Sequence, residues 1–251
     1  MKRYKILYIL ILVFILLLSS KKIEAYGFGF KKNNENKQPD IGIYKSIIES
    51  NGGIYVGDSN SKKVYLTFDC GYENGYTEKI LDVLKEKNVN ATFFLTGHYI
   101  DSASDLVLRM KQEGHILANH SDKHKDITKI TENEIKKEIY DLETKYYNLT
   151  GANLTKFFRP PAGTFDSKSL SVINSIGYTT LFWSLAYKDW NHKTDSSFAV
   201  NEVISNIHPG AIILLHAVSE ANSIALGTII DEVRSKEYEI ASTLELLNNI
   251  Y

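Results

Sequence analysis

The hydrophobic positions along this chain change period repeatedly, and each change predicts an element. Val64-Tyr65-Leu66-Thr67-Phe68 is a run of β-formers. Thr77 to Asn88 follows, with Ile80, Leu81 and Leu84 at helical spacing and Thr77 as candidate N-cap. Ala91 to Thr96 reads as a second strand, Ala103 to Glu113 as a second helix stopped by Gly114, and His115 to Ala118 as a short third strand. Thr131 to Leu149 predicts a long surface helix, because Thr131 and Glu134 stand in capping-box spacing and Gly151 lies just past the end. Phe157-Phe158 leads a fourth strand, Ser167 to Ile176 a helix ended by Gly177, and Tyr178 to Ser184 a fifth strand. Ala211 to Leu215 is apolar throughout, which suits a sixth strand covered on both faces. Ile224 to Lys236 then predicts a helix and Tyr238 to Ile240 a last strand.

Strand followed by helix, repeated six or seven times, predicts an α/β fold of parallel strands with crossover helices. A (β/α) barrel, distorted or incomplete, fits this order better than an open sheet. Such barrels carry their chemistry beyond the C-terminal ends of the strands. Reactive residues are therefore expected just after each strand.

The N-terminus has a different pattern. Lys2, Arg3 and Lys5 precede an apolar run from Ile6 to Leu18, followed by Ser19, Ser20 and, further on, Ala25. A basic start, an apolar middle and a small residue near a cut is the layout of an export signal. The run is shorter than the roughly 20 residues of a membrane span, but Ile23 is a poor residue before a cut, so an uncleaved anchor is the alternative. Residues 26–40 are rich in Gly, Lys and Asn and read as a flexible spacer. The expected division is 1–25 signal or anchor, 26–59 spacer and lead-in, and 60–251 a single domain.

Charge adds an exclusion. With 29 basic against 30 acidic residues the net charge is −1, so nothing draws the chain to nucleic acid. The chain has one cysteine, Cys70, which in an exported protein leaves it without an internal disulfide partner. It is buried and inert, reactive, or a metal ligand.

The strand ends do hold reactive residues. Asp69 and Cys70 end the first strand, His120 and His124 follow the third, Arg159 ends the fourth, Asp189 and Trp190 follow the fifth, and His216 ends the sixth. Two imidazoles four residues apart can face one side of a helical turn and share a divalent ion. Alone, the pair reads better as two surface side chains on a polar loop; an acid and a thiol at a neighbouring strand end reverse the balance in favour of the metal. Hydrolysis of an amide needs an activated water, a polarised carbonyl and a proton for the departing amine. A bound metal supplies the first two. Asp69 suits the base, and His216 the acid if Asp189 favours its charged form. Arg159, stiffened by Pro160-Pro161, can brace a carboxylate through two hydrogen bonds, with Asp69 the candidate. Ala162 or Gly163 can offer a backbone N–H to an oxyanion, and Trp190 and Leu214 can wall a small acyl pocket. Each of these also has a plain reading as core or surface.

Thr67-Phe68-Asp69-Cys70-Gly71, His120-Ser121-x-x-His124, Arg159-Pro160-Pro161-Ala162-Gly163, Asp189-Trp190 and Leu214-Leu215-His216 occur in the order of the five motifs of polysaccharide deacetylases with the NodB-homology domain. The resemblance runs from about residue 60 to the C-terminus. Gly71-Tyr72-Glu73-Asn74-Gly75-Tyr76-Thr77, Thr96-Gly97-His98 and His208-Pro209-Gly210-Ala211 look like the delta-lactam-biosynthetic de-N-acetylases, which act on muramic acid of spore cortex. The resemblance implies a distorted (β/α)7 barrel, with Asp69 as base, His120 and His124 as metal ligands, His216 as acid, Arg159 as brace on Asp69 and Asp189 as partner of His216.

Two positions depart from the family pattern. Where relatives carry a second, metal-binding aspartate, this chain has Cys70; a Cys-His-His set suits zinc and not magnesium or calcium. The other option is an ion held by the two histidines with Asp69 or water. Ala186 stands where many relatives carry an acid. The expected function is metal-dependent N-deacetylation of peptidoglycan, at muramic acid residues on the way to the delta-lactam. A deacetylase of another polysaccharide and a non-catalytic wall-binding homologue are the alternatives. The expected cofactor is zinc, the partner peptidoglycan strands (with the membrane added if the N-terminal segment stays uncleaved), the state a monomer, and the location secreted or membrane-anchored.

Overall fold

The computed structural model describes residues 24–32, 35–191 and 193–249. The expected signal or anchor segment lies outside them, apart from its last two residues. Among the described residues no helix is long and apolar enough to cross a membrane.

The chain enters through β1 (Tyr26–Gly27) and α1 (Tyr44–Ser50), then alternates β2 (Lys63–Cys70), α2 (Thr77–Glu86), β3 (Thr92–Leu95), α3 (Gly97–Ser102), α4 (Ser104–Gln112), β4 (Ile116–Asn119), α5 (Glu132–Thr150) and β5 (Phe157–Phe158). A short β6 (Thr164–Phe165) precedes α6 (Ser167–Ser175), β7 (Thr179–Thr180), α7 (Ser196–Asn206), β8 (Ala211–His216), α8 (Glu220–Ser235) and β9 (Glu239–Ile240). Six parallel strands form the sheet in the order β7-β5-β4-β3-β2-β8, and β9 pairs with the start of β2. The sheet curls until the chain after β7 meets β8. There Leu214 N–H donates to Leu185 O at 2.9 Å and Ser184 N–H to Ile212 O at 3.0 Å. The distorted (β/α) barrel expected from the strand–helix order is the architecture found.

Alternation along β2 sorts the core into two layers. Tyr65 faces inward and packs with Phe94, Ala118, Phe157, Leu181 and Ile212, which fill the barrel. Val64, Leu66, Phe68 and Cys70 face outward and pack under Ile80, Leu84, Met110, Leu226 and Ile230 of the helices. Each such side chain contributes about 1.5–3 kcal/mol when fully buried. Thr67 and Asp69 continue the inward row, so the alternation that builds the core also delivers a carboxylate to the barrel mouth.

Several elements differ from the pattern-based expectation. The helix expected over 103–113 is found as α4; the short α3 before it was not expected, and Ala103, whose φ of −132° is not helical, divides the two. The N-cap of α2 is Tyr76 rather than Thr77; the Thr77 hydroxyl bonds to Glu73 instead. The capping box of Thr131 and Glu134 and the left-handed Gly151 do bound α5. Helix α7, capped by Asp195, has buried Ala199 and Val203 as its inward anchors, too thin an apolar stripe to stand out in sequence.

The expected spacer over 26–40 is a correction. β1 pairs antiparallel with β6, and the Phe28 ring lies 4.6 Å from that of Phe182 and 5.1 Å from that of Trp183. Gln38 Nε2 donates to Gly57 O and Pro209 O. The aromatic residues Tyr26, Phe28 and Phe30 make this segment part of a core cluster with Ile48, Phe165 and Phe182, which outweighs its Gly- and Asn-rich composition.

Candidate active site

At the C-terminal mouth of the barrel lies a cavity of about 610 Å³ lined by Asp69, Tyr72, Thr96, His98, His120, Asp122, Lys123, His124, His216 and Val218. The register accounts for the convergence. Asp69 pairs with His216 across β2 and β8, and Asn119, immediately before His120, pairs with Phe158, immediately before Arg159.

Arg159 is fully buried beneath the site. Its Nη1 donates to Asp69 Oδ1 at 2.8 Å and to Thr67 Oγ1 at 2.9 Å, while Nε donates to Leu181 O at 3.1 Å and Nη2 to Phe182 O at 3.3 Å. Its guanidinium also stacks 4.0 Å from the centre of the Phe94 ring. The expected two-bond grip on Asp69 is instead a single bond, because the other donors fix the guanidinium to the barrel wall. Burial alone would raise the Asp69 pKa, but Arg159, with His120 and His216, holds it below the ordinary carboxylate value.

His120 and His124 do not lie on a helical turn. They sit on a loop in which Ser121 and His124 both have positive φ, and their rings meet edge to face with centroids 5.0 Å apart. Helix α5 pins this loop: the backbone O of Glu138 accepts from Asp122 N–H at 3.1 Å, and its Oε2 accepts from Lys123 N–H at 2.7 Å. Gly97 is required here, since a Cβ on it would stand 1.9 Å from Asp122 Oδ1. His120 Nδ1 lies 2.8 Å from Arg159 O. A carbonyl only accepts, so Nδ1 carries the proton and Nε2 presents a lone pair. Burial is the main cause that lowers the His120 pKa to about 4.

That lone pair faces Asp69 Oδ2 at 3.6 Å. Two acceptors opposed with no proton between them suit a cation, and a metal-bound imidazole typically has its other nitrogen tied down in this way. Among the described residues no three His, Cys, Asp or Glu side chains gather closely enough to form a complete ligand set. His120 and His124 suit a divalent ion as a pair of nitrogen donors, with the remaining positions left to water or substrate.

Cys70 does not join them, and its expected role as third ligand is corrected. It follows Asp69 on the strand and therefore faces the opposite way, fully buried against the outer helices. Burial, with the charges of Asp69 and Glu73, pushes its thiol pKa well up, and a neutral thiol is a poor ligand.

Across the cavity, His216 Nδ1 lies 2.7 Å from Asp189 Oδ1. Burial alone would lower its pKa; the hydrogen bond to Asp189 and the charges of Asp189 and Asp69 outweigh it, and the value is raised. Asn222 Nδ2 donates to Asp189 Oδ2 at 2.6 Å and to His216 O at 3.1 Å, and Tyr187 Oη donates to Asn222 Oδ1. Asn222 had no local sequence signal; it comes from α8 and meets Asp189 only in the folded chain. Trp190 is 56 % exposed with its ring 5.2 Å from that of His216, and Leu214 faces inward beside Thr67, one step below His216. Ala162 is exposed at the turn after Pro161. The Gly163 N–H is already donated to Pro160 O at 3.0 Å, which removes Gly163 from the expected oxyanion donors.

Asp69, with its carboxyl pKa lowered, and His216, with its imidazole pKa raised, share a barrel mouth with His120 and His124, whose pKa values are lowered, an arrangement suited to acid–base hydrolysis. Residues 56–181 match the polysaccharide deacetylase family model, and the chain belongs to this family. It is 40% identical to the peptidoglycan-N-acetylmuramic acid deacetylase PdaA of Bacillus subtilis, over 89% of this chain and 86% of that protein. The solved structure of PdaA, a family 4 carbohydrate esterase, superposes with a TM-score of 0.87 at 39% identity, covering 91% of this chain and 99% of that one. A family 4 carbohydrate esterase from Bacillus anthracis gives 0.76 at 43% identity, covering 90% and 97%. A peptidoglycan-N-acetylglucosamine deacetylase of Bacillus cereus is 33% identical over 76% of this chain and 70% of its own length.

Proposed function

We propose that this protein hydrolyses the N-acetyl group of muramic acid residues in peptidoglycan, outside the cytoplasm. The observation that carries this reading is the opposition of two differently tuned groups across one cavity: Asp69, held ionised by Arg159, and His216, favoured in its charged form by Asp189. Similarity to PdaA over nearly the whole of both chains supports the muramic substrate, and similarity to the glucosamine deacetylase makes glucosamine the competing one.

In this mechanism Asp69 takes a proton from water as the oxygen attacks the acetyl carbon. His216, whose Nδ1 is committed to Asp189, delivers a proton from Nε2 to the amide nitrogen as the C–N bond breaks. Acetate and a free amine leave. Trp190 and Leu214 wall the acetyl methyl, and the Ala162 N–H is the remaining backbone donor on the Pro161 turn. His120 and His124 would hold a divalent ion, with zinc the metal that two imidazoles favour; family 4 deacetylases generally depend on a metal. When bound, that ion supplies Lewis-acid polarisation and lowers the pKa of water. The freed amine stands on the carbon next to the one bearing the lactyl ether, so a later condensation with the lactyl carboxyl, with loss of water, would give the six-membered delta-lactam.

The test is mass spectrometry of muramic-acid-containing glycan fragments incubated with the protein, with and without zinc. Loss of one acetyl from muramic acid, dependent on metal, is expected. Release of acetate from glucosamine alone, or none from either sugar, defeats the proposal.

A further inference from the structure

We propose that Lys123 is the residue that selects muramic acid, by binding the carboxylate of its lactyl ether. This rests on the deacetylase reading above and names the feature of that site which tells two amide-bearing sugars apart.

Muramic acid and glucosamine carry the same acetamide at C2. They differ at C3, where muramic acid has an ether-linked carboxylate. A site that prefers muramic acid therefore needs a cation near the scissile amide, on the side of the neighbouring carbon. Lys123 lines the catalytic cavity and directly precedes His124, one of the two imidazoles that flank the reacting group.

The carboxylates of the cavity and of the loop that carries Lys123 are already matched. Asp69 is paired with Arg159, Asp122 with Lys145 Nζ at 3.0 Å, and Glu138 with Lys125 Nζ at 3.1 Å. Lys123 forms no such ion pair among the described residues, although its loop is closely held. Its backbone N–H is fixed by buried Glu138, and its neighbour Asp122 accepts from Gly97 N–H at 3.1 Å. Lys123 is thus an exposed side chain on a backbone fixed at the cavity wall, and no carboxylate among the described residues forms an ion pair with it. Lys123 shares that lining with Asp69, His120, His124 and His216. A sugar with its acetamide directed at Asp69 and His216 would meet Lys123 with an adjacent substituent. A carboxylate there gains a charge-assisted bond, and a bare hydroxyl does not.

The experiment measures acetate release from three glycans of equal length: muramic-containing with a free lactyl carboxylate, the same glycan with that carboxylate methyl-esterified, and an N-acetylglucosamine oligomer. For the native protein, kcat/KM for the free acid should exceed that for the ester by about tenfold, the lower end of a charged hydrogen bond's worth. In Lys123→Gln this ratio should fall towards one, chiefly through KM. In Lys123→Arg most of it should return. Equal rates on acid and ester by the native protein would overturn the inference without recourse to any variant. So would a Lys123→Gln protein that keeps the native ratio. Acetate release from none of the three glycans removes the deacetylase reading, and this inference with it; release without discrimination removes this inference alone.

Discussion

The carboxylate of Asp189 holds His216 at two points, accepting from ring Nδ1 through Oδ1 and from the backbone N–H through Oδ2, each at 2.7 Å. One grip fixes the ring and the other fixes the strand end that carries it. The same carboxylate raises the pKa of the ring against the effect of burial. Replacing Asp189 by Asn keeps the size and one acceptor but removes the charge. Burial then dominates, the imidazolium is lost at lower pH, and the alkaline limb of the pH–rate profile should move towards acid. A fall in kcat of about 10²-fold is expected, the low end of general-acid contributions. An unshifted alkaline limb would show that His216 is not the group that titrates.

Arg159→Met removes the cation that holds Asp69 charged. A buried pair broken on one side costs about 3–5 kcal/mol, and the guanidinium's bonds to Leu181 O and Phe182 O are lost as well. The Asp69 pKa should rise, so the acidic limb of the pH–rate profile should move to higher pH. Thermal unfolding and a pH–rate series on the surviving folded fraction measure both effects.

Cys70→Ser tests which way the thiol faces. A hydroxyl in the apolar layer among Phe68, Ile80 and Leu84 should cost about 1–3 kcal/mol of stability. Zinc content and metal affinity should not change. A loss of bound zinc in a protein that still melts cooperatively would return Cys70 to the ligand set.

Much of this geometry was readable from the chain alone, for a specific reason. In a parallel sheet, strand ends meet at one rim whatever their distance in sequence, so Asp69, His120, Arg159 and His216 could be brought together from pattern. What pattern reading missed lies in finer rules or in tertiary contacts. Strict alternation separates Cys70 from Asp69, and a motif position taken at face value ignores it. The four-residue spacing of His120 and His124 suggested a helix, but positive φ at Ser121 and His124 makes a bend that brings the rings together another way. Asn222 and Glu138 reach the site from helices whose sequences read as ordinary packing surfaces.

His115 makes a prediction independent of catalysis. Its ring is buried, and burial is the main cause that lowers its pKa to about 4. It is neutral in the folded chain, whereas in the unfolded chain it binds a proton below about pH 6.5. Stability should therefore fall as the pH drops from about 6.5 towards 4, because the unfolded state takes up the extra proton. Denaturant midpoints measured across that window should decline, and His115→Gln should flatten the decline. An identical slope in the variant would assign the effect to other groups.

The strap formed by residues 26–30 has a consequence for how the enzyme can be cut down. Phe28 N–H donates to Gly163 O at 2.8 Å, so this early segment is fastened to the turn that follows Arg159. A polypeptide begun at residue 60, where the motifs would draw the border, strips Tyr26 and Phe28 from Phe165, Phe182 and Trp183, the last of which lies 5.7 Å from the Arg159 guanidinium. A self-sufficient unit therefore has to include the strap from Tyr26, and versions begun at residue 60 should aggregate through that stripped aromatic face before any loss of chemistry can be measured.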